Sequence, residues 1–138
     1  MFFLPKAIYV VASARTNPGF EISVEPAYEL DRSSSSAHLG DSIVSALNSF
    51  QMDVPPPDPR SMNRSPILKT LKAKSWRQFE AAALHVIVIL DGEKIEVTPT
   101  ARDTARGGYT PRPDLTCECT FEAQRIAETV LGVLEHCC

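Results

Sequence analysis

Between Ser75 and Tyr109 the apolar residues change period twice. Trp76, Phe79 and Ala83 recur at spacings of three and four, one face of a helix. Ser75 and Gln78 stand at capping-box spacing at its start. Leu84 to Leu90 is then almost wholly apolar and rich in β-branched residues, which predicts a strand covered on both faces. Asp91-Gly92 predicts a two-residue hairpin turn. Ile95 and Val97 alternate with Lys94 and Glu96, so the returning strand has one wet face, and Pro99 is expected to end it.

The flanking segments show the same two periods. Ala7 to Ala12 and Phe20 to Val24 read as an antiparallel pair turning through Asn17-Pro18-Gly19. Phe20, Ile22 and Val24 are its buried face and Glu21, Ser23 and Glu25 its wet face, with Pro26 closing it. A serine near the end of Ser33–Ser36 caps a helix over Ala37 to Phe50, whose stripe is Leu39, Ile43, Leu47 and Phe50. Pro55-Pro56-Pro57-Asp58-Pro59 is an extended connection. Ser65-Pro66 starts a short helix with Ile67, Leu68 and Leu71 inward. Gly107-Gly108 permits a sharp turn, and Pro111 and Pro113 place Tyr109 onwards in an edge or loop. A short strand over Leu115 to Cys119 precedes a closing helix, capped by Thr120, that buries Ala123, Ile126, Ala127, Val130 and Leu134. The pattern predicts an α+β fold in one domain over residues 1–138: a mainly antiparallel sheet packed by three to four helices.

Composition narrows the functions rather than the fold. Hydrophobic residues are 43% and charged residues 22% of the chain, the proportions of an ordinary globular protein. The formal net charge of −3 disfavours a phosphate-binding role except where cations cluster. They do so between Arg60 and Arg77, where Arg60, Arg64, Lys69, Lys72, Lys74 and Arg77 face no acid in the same span. A nucleic-acid-binding surface there is the alternative reading, but aromatic interleaving is almost absent and a solvated basic face is favoured. The opening MFFLPKAIYVVASA has no basic residue ahead of its short apolar run and is broken by Pro5 and Lys6. It reads as a strand rather than a signal peptide, and a cytoplasmic protein is expected.

The chemistry-bearing residues form no recognisable constellation. Cys117, Cys119, Cys137 and Cys138 have poor spacing for a zinc site and read as small thiols in a reducing compartment. His38, His85 and His136 are scattered, with His85 inside the apolar strand. No nucleophile elbow, H-E-x-x-H motif, Walker loop or dinucleotide fingerprint is present. Neither catalytic residues nor a cofactor nor a metal is expected.

Several segments together resemble the immunity proteins of bacterial contact-dependent growth inhibition systems. They are LGDSIVSAL at Leu39 to Leu47, the proline-bearing stretch Val54 to Pro59, KSWRQFEAAALHVIVIL at Lys74 to Leu90, EKIEVTPTARD followed by GGY, and the helix ending near Glu135. The acidic N-terminal strand pair and the cysteine-rich tail depart from that pattern. The resemblance implies a non-enzymatic cytoplasmic inhibitor whose partner is the C-terminal domain of a cognate toxin, commonly a nuclease. An acidic inhibitor is steered towards a protein that must attract polyanions. The candidate contacts are then the acids expected to be exposed, Glu21, Glu25, Glu29, Asp31, Glu93 and Glu96, with Arg102 and Asp103 as a loop-borne contact. The hairpin adding an edge strand to the toxin is a further route.

Overall fold

The computed structural model describes residues 1–60 and 66–138, of Pro66 the backbone alone. Two long strands, β2 (Ala7–Thr16) and β3 (Glu21–Asp31), make the N-terminal hairpin, preceded by the two-residue β1 (Phe2–Phe3). Helix α1 (Ser36–Asn48) follows, then β4 (Gln51–Val54), and the short helices α2 (Pro66–Thr70) and α3 (Trp76–Ala82). Strands β5 (Leu84–Asp91) and β6 (Lys94–Arg102) form the central hairpin. β7 (Tyr109–Pro111), β8 (Cys117–Thr120) and α4 (Ala123–Val133) complete the chain, which ends through a 3-10 turn at Leu134–His136. The strands join in one sheet of order β3-β2-β1-β5-β6-β7, with β8 on the outer side of β6 beyond β7 and β4 on β2. All pairings are antiparallel except β2 with β4. This is the α+β architecture that the alternating periods predict.

The sheet separates two apolar layers. On one face α1 and α4 bury Leu39, Ile43, Ile126 and Val130 against Val10, Val86, Ile95 and Val97. On the other, α2 and α3 bring Ile67, Leu71 and Phe79 against Phe2 and Tyr9. Local signals set the helix starts. Ser35 Oγ accepts from the His38 N–H at α1, and Ser75 Oγ from the Gln78 N–H at α3. Where α1 and α4 touch, Gly40 lies so close to the Ala123 carbonyl that a Cβ at residue 40 would overlap it.

Several expectations are corrected. Pro26 does not close β3, which continues to Asp31 because it is the outermost strand. There a missing N–H costs no ladder bond, and the register slips between Val11 and Ala12 so that Glu25 and Pro26 are passed over. Pro99 likewise does not end β6. It falls between the last β8 pair, Val97–Cys117, and the first β7 pair, Thr100–Pro111, where no neighbour asks for its N–H. The hairpin turn is Gly92-Glu93, one residue later than expected, because Asp91 still pairs with Lys94. Gly92 has φ +62°, the positive angle a first central position takes in such turns. Thr120 ends β8 instead of capping the last helix, whose N-cap is Glu122. Phe20 and Phe50, expected in the core, are 49% and 43% exposed. Ser65 and Arg64 lie outside the described residues.

Candidate functional site

β1 is the feature from which the site follows. It sits between β2 and β5 and is antiparallel to both, so those two strands are parallel to each other with a two-residue spacer between them. Beyond the spacer, among the described residues, no strand pairs with the fork-facing edge of β5. β2 acquires β4 as a neighbour only at Ala14 to Thr16, and β5 has β6 on its far side alone. The sheet therefore forks, and the fork encloses a cleft of about 590 Å³. One wall is β2 with the start of β3, the other is Ile87 to Leu90 of β5, and Ile43, Ala46 and Leu47 of α1 back it.

The backbone of β5 shows what this wall can bind. Met1 and Val86 form a doubly bonded pair: the Met1 amine donates to the Val86 carbonyl at 2.8 Å, and the Val86 N–H donates to the Met1 carbonyl at 3.0 Å. Antiparallel alternation then turns the N–H and C=O of Val88 and Leu90 towards the same side. No strand lies alongside them there among the described residues. Their side chains also disagree with the expectation of a strand covered on both faces. Ile89 is 43% and Leu90 39% exposed, and Phe50 and Met52 are exposed across the cleft. An unpaired strand edge flanked by exposed apolar side chains is chemistry for an extended peptide segment, not for a reaction.

The inner end of the cleft is closed by buried polar groups. The ring of His85 packs at a tilt against those of Phe2 and Tyr109, each 4.7 Å away between centroids. Burial first, and the neighbouring terminal amine second, push its pKa down to about 2. Its Nδ1 is buried without a partner, while its carbonyl accepts from Thr100 Oγ1 at 2.8 Å and from Cys137 Sγ at 3.2 Å. Burial also lowers the Met1 amine to about 5. Among the described residues no group of three His, Cys, Asp or Glu side chains is placed to hold a metal ion, and no helix is long and apolar enough to cross a membrane.

The candidate contact residues are dispersed. Of the eight, Glu21 lines the cleft, opposite Arg15 at 3.7 Å. Glu93 is exposed in the β5–β6 turn, and Glu25 is exposed on the outer strand. Glu29 accepts from Lys72 Nζ at 2.7 Å, so the basic segment is opposed in space by an acid that its own span lacks. Asp31 accepts from the Ser33 N–H at 2.8 Å, and the two Ser33 bonds hold its pKa below the usual carboxylate range. Glu96 is half-buried on β6 between Ile89 and Glu118. Arg102 donates to the Ala83 carbonyl at 3.1 Å, and Asp103 accepts from the N–H groups of Ala105 and Arg106 at 3.0 and 2.9 Å. Lys69, Lys74 and Arg77 are exposed on the far side of the sheet from α1, around α2 and α3.

Comparison with known proteins agrees with the fold and adds a context. No protein-family model matches the sequence, and no curated protein is similar to it in sequence. Solved structures do match. A protein of unknown function from Neisseria meningitidis, NMB0488, superposes with a TM-score of 0.76 at 12% identity, over 99% of this chain and 92% of that one. A chain of the CdiA-CT/CdiI toxin and immunity complex from Yersinia pseudotuberculosis gives a TM-score of 0.74 at 13% identity, over 99% of this chain and 94% of that one. At such identities the likeness is one of fold.

Proposed function

We propose that this chain is an immunity-type inhibitor that binds the toxin domain of a contact-dependent growth inhibition system and performs no catalysis. The observation that carries the reading is the unpaired edge of β5 at Val88 and Leu90, held open inside an apolar cleft. The shared fold with a chain of a toxin and immunity complex supports it. In this account a segment of the toxin enters the fork along the track of β1, antiparallel to β5. The open run from Ile87 to Leu90 offers it about 13 Å of strand edge at 3.3 Å per residue. Main-chain bonds supply part of the affinity, and burial of Ile89, Leu90, Phe50 and Met52 supplies more. Glu21 and Glu93 stand where they can meet cations on the toxin. A nuclease is the toxin class that such acids suit, and the producer's cytoplasm is where the toxin is met.

The test is co-expression of this chain with the toxin domain encoded beside it, scoring growth and co-purification. The unaltered chain is expected to restore growth and to purify with the toxin one to one. Leu90→Pro removes a cleft-facing N–H without breaking a β5–β6 ladder bond, so it is expected to fold and to lose the toxin. A toxin that is neither captured nor neutralised by the unaltered, folded chain overturns the reading.

A further inference from the structure

The charges at the mouth of the cleft extend this account to the kind of segment it accepts. Strand β5 leads outward from His85 to Asp91, and the mouth lies at its outer end. Four exposed acids belong to the elements that meet there: Glu21 at the start of β3, Asp53 beside Met52 on β4, Asp91 at the end of β5, and Glu93 in the following turn. Two cations of the adjoining strands β2 and β6 are engaged. Arg15 faces Glu21 at 3.7 Å, and Lys94 donates to Glu118 at 2.9 Å while also attracting the neighbouring Asp91. The interior is different in kind. Val10, Ala12, Val86 and Val88 share the face backed by α1, while the opposite face carries Ile87 and Ile89 on β5 and the directly paired Ser13 and Ser23 on the β2–β3 wall.

Resting on the reading that the cleft receives an extended segment, we propose that it selects one with apolar residues at alternate positions, hydroxyl-bearing residues between them, and Lys or Arg at its N-terminal end. The polarity follows from direction. A strand antiparallel to β5 has its N-terminal end at the mouth, among the acids, and its C-terminal end against Met1. The alternation follows from the pleat, since one row of side chains meets Ile43 and Ala46 and the other lies between Ile87 and Ile89 of β5 and Ser13 of β2, a mixed setting that the methyl and hydroxyl of threonine both suit. Exposed acids contribute little singly, and Arg15 partly offsets Glu21, but with Asp53, Asp91 and Glu93 at the same end of a segment the acids outnumber the cations and bias both encounter and choice.

The experiment uses the full chain, ¹⁵N-labelled, and two synthetic peptides with blocked ends, Lys-Lys-Val-Thr-Val-Thr-Val and its twin with Glu for each Lys. The lysine peptide is expected to move the amide resonances of Val88 and Leu90. It should bind roughly tenfold tighter than the glutamate twin at low salt, the effect of a few exposed pairs changing sign. That gap should close in about 0.5 M salt, where screening is short-ranged. In a chain carrying Glu21→Lys and Asp91→Lys the order of the two peptides should reverse. Equal affinity for the twins, preference of the unaltered chain for the glutamate peptide, shifts located elsewhere, or no binding of either peptide would each overturn the selection. Toxin capture separates the two ideas. If the doubly substituted chain captures the toxin as well as the unaltered one, selection fails and the inhibitor reading stands. If the peptides sort by charge and no toxin is captured, the inhibitor reading fails and selection stands.

Discussion

His85 shows how much one side chain couples the parts of this molecule. It sits on β5 at the inner end of the cleft, packs on Phe2 of β1 and on Tyr109 of β7, and presents its carbonyl to Thr100 and Cys137. Burial holds its folded pKa near 2, whereas an unfolded histidine titrates near 6.5. Below pH 6.5 the unfolded chain therefore binds a proton that the folded chain refuses. The stability is fully present above that value and declines as pH falls towards 2, by up to about 1.4 kcal/mol per pH unit for one group. Between pH 7 and 5 the unaltered protein should lose about 2 kcal/mol more than His85→Phe, measured by urea unfolding at each pH. The Met1 amine, lowered to about 5 by burial, adds a slope of the same sign in both proteins and cancels in the comparison. Equal pH slopes for the two proteins would show that His85 is not held neutral by the fold. The sequence marks this residue only as a histidine inside an apolar run; its ring partners come from β1 and β7, which lie 83 and 24 positions away from it in the chain.

At the scale of elements, what sequence patterns reveal depends on whether a signal is local. The capping serines Ser35 and Ser75, the apolar faces of α1, α3 and α4, and the alternation of Ile95 and Val97 are all legible, because each rests on residues within one or two turns. Prolines mislead where the strand containing them has an unneeded N–H, as at Pro26 and Pro99. β1 and β4 are too short to show a period, and both exist only through their partners. Gly40 is a similar case. Nothing around it in sequence demands glycine, yet the contact between α1 and α4 does. Gly40→Ala should gain helix propensity and nonetheless lose about 2 kcal/mol in urea unfolding, since the added methyl meets backbone that cannot swing aside. An unchanged or higher stability would mean that the two helices separate without cost.

For the whole molecule, the site was the least legible part for the same reason. Leu84 to Leu90 carries the composition of a strand buried on both faces, yet only Val86 is fully buried, and Ile89 and Leu90 are exposed. Its outer end is an open edge, because among the described residues the strand that bridges β2 and β5 is two residues long. Exposure of acids guided the choice of contact residues, but exposure does not bring them together; Glu21 reaches the cleft through β3, and Arg102 and Asp103 are spent on carbonyl and N–H groups of their own chain. On the proposed function, this open edge is completed by a partner's main chain. Hydrogen exchange at the Val88 and Leu90 amides, with and without the captured toxin domain, tests it most directly. Rapid exchange in the unpartnered chain and strong protection in the complex is the predicted result. A complex that forms while both amides go on exchanging as fast as before would contradict it.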